Sequence, residues 1–480
     1  MLFNSLDIMM NKKLQIFKYV LCDYLSALVA WTGLFLYRKF SIEHSSFDDV
    51  NAVFQDANLW RGIIILPILW VAFYIMQGTY RDVFRKSRLK ELQSTLVASI
   101  FGIVVIFFAL LLDDNIDSYR YYYFSFIVLF LLHFSLTYVC RLIITSRTVH
   151  RVHARKIGFN TLLIGSNDNA YKIYKEIDAQ ETYSGNFFIG FVSVDGLVNE
   201  QLKDVMPNLG TIAELNQIIE DQRIEEVIIA VEDYEHEKIS KIINFLDRKD
   251  IIIKITPDTR DIILGSVKIT SIFHSPLIVI NPRLMEEWQY SVKRIVDIVV
   301  SLVAMIILLP VYIITAIIVK TTSKGPIFYS QERIGIKGKP FRMHKFRSMY
   351  IDAEKFGPML SKDNDPRITP FGRFMRKVRL DEIPQFYNVL KGTMSLVGPR
   401  PERQYFIDQI VQRAPEYLLL QKVKPGITSW GQVKYGYAEN VDEMLERLRY
   451  DLLYLENMSI TTDIKILLYT AIIIVQGRGK

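Results

Sequence analysis

Two adjacent acids, Asp381 and Glu382, stand in the string Leu380-Asp381-Glu382-Ile383-Pro384-Gln385, and Gly398-Pro399-Arg400-Pro401 follows in a stretch rich in Lys and Arg. Asp381, with a proline in the turn after it, is expected to be a helix N-cap, where the positive helix end favours the ionised carboxylate. An ionised carboxylate can attack phosphorus. Glu382 is turned about 100° around such a helix, so the two acids can serve different partners, a nucleophile beside a metal-binding acid. A transferring phosphoryl group carries spread negative charge, and its chemistry is mostly clamping and neutralisation. Arg400, stiffened between Pro399 and Pro401, is the first candidate for a phosphate or nucleotide contact, followed by Lys345, Arg347, Arg367 and Arg379. Oxygen donors and phosphate suit Mg²⁺, and seven scattered His argue against zinc. Against this stand blander readings: helix capping alone explains one acid, and any single cation can be a solvated charge.

The elements that would position these residues include a membrane. The chain of 480 residues is half apolar, and its mean hydropathy is positive. Windows near the length a bilayer span needs occur at residues 14–36, 63–78, 96–112 and 121–144. The first is already of spanning length and lacks a small-residue cleavage site, so a removable signal is not expected. The only cysteines, Cys22 and Cys140, lie inside spans, which leaves disulfides and thiolate metal sites without support. The net charge of +7 clusters beside apolar segments, which favours membrane lipids and phosphorylated substrates over nucleic acid. Lys12, Lys13 and Lys18 precede the first window, Arg81, Arg85, Lys86, Arg88 and Lys90 follow the second, and Arg147, Arg151, Arg155 and Lys156 follow the fourth. Asp48, Asp49, Asp56, Asp113, Asp114 and Asp117 fill the other two loops. The positive-inside rule then puts the N-terminus and everything after residue 144 in the cytoplasm. Asp23 and His133 are intramembrane polar groups, expected to bond to each other or to neighbouring helices.

From about residue 159 short β runs (161–164, 187–194, 226–231, 251–255 and 276–280) alternate with amphipathic helices, the pattern of a parallel sheet with helices packed on it. Gly165-Ser166-Asn167-Asp168-Asn169-Ala170 is similar to a dinucleotide-binding turn without its second glycine, so a structural or regulatory Rossmann-like domain is expected. A membrane-anchored nucleotide-sugar dehydratase or epimerase would need an intact fingerprint and a Tyr-x-x-x-Lys pair. Tyr171 and Lys175 have that spacing but lie beside the turn, too early to face a nicotinamide.

Residues 293–320 are long enough to span, but crossing would put Lys320 and Lys324 on the wrong side. Pro310 removes a backbone hydrogen bond and bends the helix, so the segment is expected to dip into one leaflet and return, with Lys293 and Asp297 pairing at the interface. A kinked ordinary span is the alternative. Residues 464–475 are too short to cross and fit a helix lying on the headgroups, before Gly477-Arg478-Gly479-Lys480.

The strings Lys293-Arg294-x-x-Asp297, Gly325-Pro326-Ile327-Phe328, Gln331-Glu332-Arg333-Ile334-Gly335, Lys345-Phe346-Arg347-Ser348-Met349, Asp365-Pro366-Arg367-Ile368-Thr369, the Asp381-Glu382 string, Ser395-Leu396-Val397-Gly398-Pro399-Arg400-Pro401 and Lys424-Pro425-Gly426-Ile427-Thr428 occur in order. Together they resemble the bacterial sugar transferases, monotopic phosphoglycosyl transferases, and the preceding segments resemble that family's large polytopic branch. The resemblance implies three domains: residues 1–156 a four-helix transmembrane bundle, 157–285 a cytoplasmic Rossmann-like, CoA-binding-like domain, and 286–480 a mostly helical catalytic domain with the re-entrant helix 293–320. It implies transfer of a sugar-1-phosphate from a UDP-sugar to undecaprenyl phosphate at the cytoplasmic face of a bacterial inner membrane, to start a capsule, exopolysaccharide or O-antigen. Asp381 would form a phosphosugar ester, Glu382 would help hold Mg²⁺, and UMP would leave. UDP-glucose or UDP-galactose is favoured, with an N-acetylated sugar open, and a homodimer is an expectation. Two positions depart from the family pattern: Leu309 stands where serine usually precedes the proline, and Thr393 where an acid is common. Asp363-Asn364-Asp365 matches the Asp-x-Asp string of glycosyltransferases, which would release UDP instead, and a non-catalytic scaffold is a further alternative.

Overall fold

The computed structural model describes residues 11–42, 54–108, 119–180, 183–194, 199–231, 242–243, 245–246, 251–255, 277–280, 284–355, 357, 359–360, 365–436 and 438–476. Asp48, Asp49, Asp113, Asp114, Asp117, Asp363, Asn364 and residues 477–480 lie outside them. The chain divides into two compact units, residues 1–232 with 254–279 and residues 233–253 with 280–480.

The first unit opens with four helices, α1 (Lys12–Tyr37), α2 (Ala57–Met76), α3 (Arg88–Ile106) and α4 (Tyr119–His153), each long and apolar enough to cross a membrane. Their starts are written locally: the side chains of Asn11, Asp56 and Ser87 accept backbone N–H bonds at the first turns of α1, α2 and α3. Tyr19, Leu34, Trp70, Tyr74 and Ile103 pack between them. Within this apolar packing Arg141 is fully buried, its guanidinium held by Asp23 at 2.7 and 2.8 Å, by Glu91 at 3.4 Å and by Thr95 at 3.1 Å. Tyr80 also donates to Asp23, at 2.7 Å. His133 shares a 3.0 Å hydrogen bond with the Tyr74 hydroxyl. Asp23 and His133 therefore bond to neighbouring helices, the second of the two expected arrangements.

The same unit carries β1 (Phe159–Ile164), α5 (Asp168–Asp178), β2 (Asn186–Ser193), α6 (Glu200–Val205), β3 (Asn208–Thr211), α7 (Leu215–Asp221) and β4 (Glu226–Ile229), and the division between the units runs through β5 (Ile252–Ile255) and β6 (Ile278–Ile280). The sheet order is β3-β2-β1-β4-β5-β6, and β1 pairs in parallel with both β2 and β4. Leu162 to Ile164 and Val227 to Ile229 are wholly buried, as befits central strands covered on both faces. Strand β3 escapes a sequence reading because its four residues, Asn-Leu-Gly-Thr, carry little apolar periodicity. Gly165 has φ +133°, where a Cβ would run into the Ala230 backbone. Arg85, between α2 and α3, pairs with Glu226 and lies 3.6 Å over the Phe159 ring, which ties the helices to the sheet.

The second unit begins with α8 (Glu287–Ile307) and α9 (Leu309–Thr322), bent by 62° at their junction. The Leu308 N–H still reaches the Ala304 carbonyl at 2.8 Å, but Pro310 in the first turn of α9 has no N–H to continue the ladder. A broken span and a re-entrant loop both have this geometry. Val299, Leu302, Ile306, Leu309, Ile313 and Ile317 are exposed, far more apolar surface than a soluble unit leaves bare.

Lys293 and Asp297 do not pair with each other, contrary to the sequence expectation, because each has a partner in the packed domain. Lys293 donates to the Val397 carbonyl at 2.8 Å and to Asp463 at 2.5 Å. Asp297 accepts the Leu396 N–H at 3.0 Å. Arg294 between them covers the Val389 and Leu390 carbonyls at 2.7 and 2.9 Å. Asp463 belongs to the last helix, Ile460–Val475, whose 16 residues reach only about 24 Å, short of a span.

Removing one partner from a buried ion network strands the other charges, at a cost of about 3–5 kcal/mol. Arg141→Ala is accordingly expected to lower markedly the thermal unfolding temperature of the detergent-solubilised protein, whereas Lys90→Ala on the exposed first turn of α3 changes it little. Equal melting of both variants would contradict this account of the helix packing.

Candidate active site

Strands β7 (Phe328–Ile334) and β8 (Pro340–Phe346) form an antiparallel hairpin, and β9 (Ser395–Val397) pairs in parallel with β10 (Gly426–Thr428). The hairpin lies in a domain read from sequence as mostly helical, and it carries Lys345 near its end. Helix α10 (Pro370–Lys377) is capped by the Thr369 hydroxyl, which accepts the Gly372 N–H. The chain then turns through Arg379, in the left-handed region with φ +61°, into a single 3₁₀ turn, Leu380–Glu382. Helix α11 (Gln385–Lys391) follows and ends at Gly392 with φ +87°, a conformation open to glycine at little cost. Asp381 is thus not the N-cap of a regular helix, as its spacing to Pro384 suggested. It sits inside the 3₁₀ turn, and the first residues of α11 come four positions later.

Asn388 fastens α11 to the hairpin: its Oδ1 accepts the His344 N–H at 3.0 Å and its Nδ2 donates to the Arg342 carbonyl at 2.8 Å. This docks the acidic turn beside Lys345. The Lys345 ammonium meets Glu382 at 2.7 Å, Arg379 meets its other oxygen at 3.1 Å, and Arg400 stands 3.7 Å away. Both acids are nearly inaccessible, with 6% of Asp381 and 5% of Glu382 exposed. Their electrostatics diverge. Burial pushes the Asp381 carboxyl up from its ordinary value, Lys345 opposes this, and the neighbouring Glu382 charge adds to it. Burial acts the same way on Glu382, but Lys345, Arg379 and Arg400 outweigh it and hold that carboxyl well below the ordinary range. Lys345 is itself pushed down by burial, which Glu382 partly offsets. Two adjacent acids with opposed shifts are the arrangement by which one fold assigns two roles.

Arg400 rides a turn set rigidly by its surroundings. The Gly398 N–H bonds the Thr428 carbonyl at 3.1 Å, and the Gly426 N–H bonds that of Pro399 at 3.0 Å. Pro399 and Pro401 flank the arginine, and the Pro401 carbonyl accepts from Arg333 at 3.2 Å.

Asp381, Arg400, Lys345, Arg347 and Arg367 all border one cavity of about 680 Å³. Two of these cations are held in other ways than the sequence reading foresaw. Arg347 donates to the Lys324 and Ser323 carbonyls at 2.8 and 2.7 Å and to the Ser323 hydroxyl, closing the end of α9. Arg367 forms a two-pronged pair with Asp365 at 2.9 and 2.6 Å and reaches the Leu360 carbonyl at 3.0 Å. Asp365 is the described member of the Asp-x-Asp string, and Arg367 holds both its oxygens. Thr393, the departure from the family pattern, donates to the Asn388 carbonyl at 3.2 Å and so serves the end of α11.

Sequence reasoning missed the group beside the cavity formed by Glu402, Arg447 at 2.5 Å and Arg333 at 3.0 Å. The position of Glu402 directly after Pro401 was the available signal. It missed Arg376 as well, whose charge acts on Asp381 and whose side chain donates to Ser348 at 3.0 Å.

Among the described residues no group of three or more His, Cys, Asp or Glu side chains gathers. Mg²⁺ commonly takes one or two carboxylates and completes its shell with water and phosphate oxygens; of the acidic pair, Asp381 borders the cavity where such an ion would be reached. Lys345 and Arg379 now occupy the Glu382 oxygens and would have to yield one to an ion.

Asp381 at a cation-lined cavity, with Glu382 buried beside it, on a unit that exposes a broken apolar helix, suits a transferase for anionic groups. The chain belongs to the bacterial sugar transferase family: that profile matches residues 288–477, and the chain is 30% identical over 432 residues to an uncharacterized sugar transferase of Haemophilus influenzae, covering 85% of this chain and 86% of the relative. A CoA-binding domain profile matches residues 76–257. A UDP-glucose:undecaprenyl-phosphate glucose-1-phosphate transferase of Klebsiella pneumoniae is 29% identical over 85% of this chain and 87% of its own length. A UDP-N-acetylgalactosamine-undecaprenyl-phosphate N-acetylgalactosaminephosphotransferase of Aeromonas hydrophila is 40% identical, but over 39% of this chain and 44% of its own length.

The shifts make a signed prediction. Burial holds the Asp381 carboxyl above the ordinary aspartate value, so if Asp381 is the reacting carboxylate, its ionised fraction, and with it kcat/KM, falls as pH drops through that raised value. Lys345 favours the ionised form, so Lys345→Met is expected to move the acid limb of the residual activity to higher pH. A limb that stays put or moves down in the pH–rate profile would refute the Asp381 assignment.

Proposed function

We propose that the chain transfers a sugar-1-phosphate from a UDP-sugar to undecaprenyl phosphate by a two-step exchange on Asp381. The observation that carries this reading is that Asp381, raised by burial, borders a cation-lined cavity while its neighbour Glu382, buried beside it, is held ionised by three cations. In the first step an Asp381 oxygen attacks the β-phosphorus of the donor. The bond from that phosphorus to the bridging oxygen breaks, and UMP departs with the electron pair. In the second step an oxygen of the lipid phosphate attacks the same phosphorus, the aspartyl–phosphorus bond breaks, and a lipid diphosphate sugar forms with the carboxylate regenerated.

Lys345, Arg379 and Arg400 stand ready to exchange Glu382 for phosphate oxygens, and Arg400 is held in place by its prolines. Mg²⁺, with Glu382 and Asp381 as protein ligands, would supply further neutralisation of the diphosphate. The exposed apolar face of α8 and α9 and the short last helix support a monotopic unit whose broken helix re-enters one leaflet. The cation distribution around the four candidate spans supports a cytoplasmic location on a bacterial inner membrane. The strand order of the sheet supports a Rossmann-like fold for the middle domain. A homodimer through the first unit fits this layout. Relatives named for glucose and for N-acetylgalactosamine leave both sugar classes within the proposal, with a hexose as the first expectation and a capsule, exopolysaccharide or O-antigen as the product's destination.

The test is incubation of the purified protein with undecaprenyl phosphate and a panel of UDP-sugars, with chromatography of the freed nucleotide. UMP release by the wild type, lost at least about a thousandfold in Asp381→Asn, is the expected outcome. UDP as the sole nucleotide product, or an undiminished Asp381→Asn protein, would overturn the mechanism.

A further inference from the structure

We infer that Tyr312 is a positioning residue for the acidic pair, and that the bend between α8 and α9 puts it in place; the inference rests on the proposed Asp381 chemistry. Asp381 and Glu382 sit in a 3₁₀ turn preceded by a left-handed Arg379, so a continuous helical ladder does not hold their backbone. The Ile383 carbonyl, next after Glu382, accepts the Phe386 N–H at 3.1 Å and has a second lone pair available. The Tyr312 hydroxyl takes it, donating at 2.7 Å. Tyr312 therefore spends its hydroxyl on the acidic turn rather than on a carbonyl freed by Pro310.

The ring has a second contact. It packs against Phe346 with centroids 5.4 Å apart, and Phe346 is buried and adjoins Lys345, the closest cation to Glu382. One side chain from the broken helix thus braces both the turn that carries the acids and the strand end that carries their lysine. Tyr312 does not border the cavity, and its contacts are with the turn and the strand end behind it.

Its own placement comes from the break. Tyr312 is the fourth residue of α9, and its N–H bonds the Leu308 carbonyl at 2.9 Å across the junction. Without the 62° turn the phenol would leave with the helix axis. The helix break then has a use beyond anchoring, since it delivers a hydrogen-bond donor to the back of the acidic turn.

Tyr312→Phe keeps the ring on Phe346 and removes only the donor. The full-length protein in detergent is expected to lose about tenfold in kcat, with KM for the UDP-sugar unchanged within about twofold and an unchanged thermal unfolding temperature. A wild-type kcat, a loss carried by KM, or a loss accompanied by a fall in unfolding temperature would each overturn the inference. A double-mutant cycle with Pro310→Ala reads the second half: if both substitutions break one tether, the double variant is no slower than Pro310→Ala alone, whereas additive losses would reject the role of the bend. A wild type that frees no UMP fails the proposed reaction itself, and this is seen before any variant is compared.

Discussion

The catalytic unit is organised around a buried carboxylate that cannot stand alone. Glu382 is almost completely removed from water, and an ionised carboxylate so placed costs several kcal/mol unless charges and hydrogen bonds compensate it. The compensation arrives from three parts of the chain: Lys345 at the end of a hairpin, Arg379 from the same turn, and Arg400 from the loop after β9. Satisfying one charge therefore forces three elements to converge. Asp381 next to it inherits the opposite condition, since burial disfavours its charge and a permanently ionised neighbour disfavours it further.

The same logic extends outward to the broken helix. Lys293, Arg294 and Asp297 fall within little more than one turn of α8, and all three are spent on backbone groups of the catalytic domain or on Asp463. Arg347 closes the far end of α9. An apolar helix pair of this kind contributes little specificity through packing alone, because lipid tails and aliphatic side chains are nearly equivalent surroundings. Directional polar contacts at both ends supply what packing cannot, and Tyr312 adds one in the middle.

Much of this was legible in the residues. The four apolar windows, the alternating strands, the break at Pro310 and the acidic pair with its flanking cations could all be read from type and spacing, because each depends on local chemistry: hydrophobic length, period two or 3.6, a missing N–H, adjacent charge. The position of Glu402 after Pro401 was a signal, but its pairing with Arg333 and Arg447 was not legible, since these partners lie 69 and 45 positions away. The short strand β3 was hidden by its lack of periodicity. The pairing of Lys293 with Asp297 failed as an expectation because spacing along a helix states who can meet, while partners outside the helix decide who does.

By itself the sequence determined which groups are present and which elements carry them: an aspartate, a companion glutamate, a rigid arginine and a helix that must bend. Only the tertiary structure decided which cation serves which anion. Arg347 and Arg367 resemble Lys345 and Arg400 in composition and context, yet the first two are committed to helix-end carbonyls and to Asp365. The physical reason is that a charge is committed by distance and burial, which vary steeply over a few ångströms, and those are fixed by contacts between segments far apart in the chain.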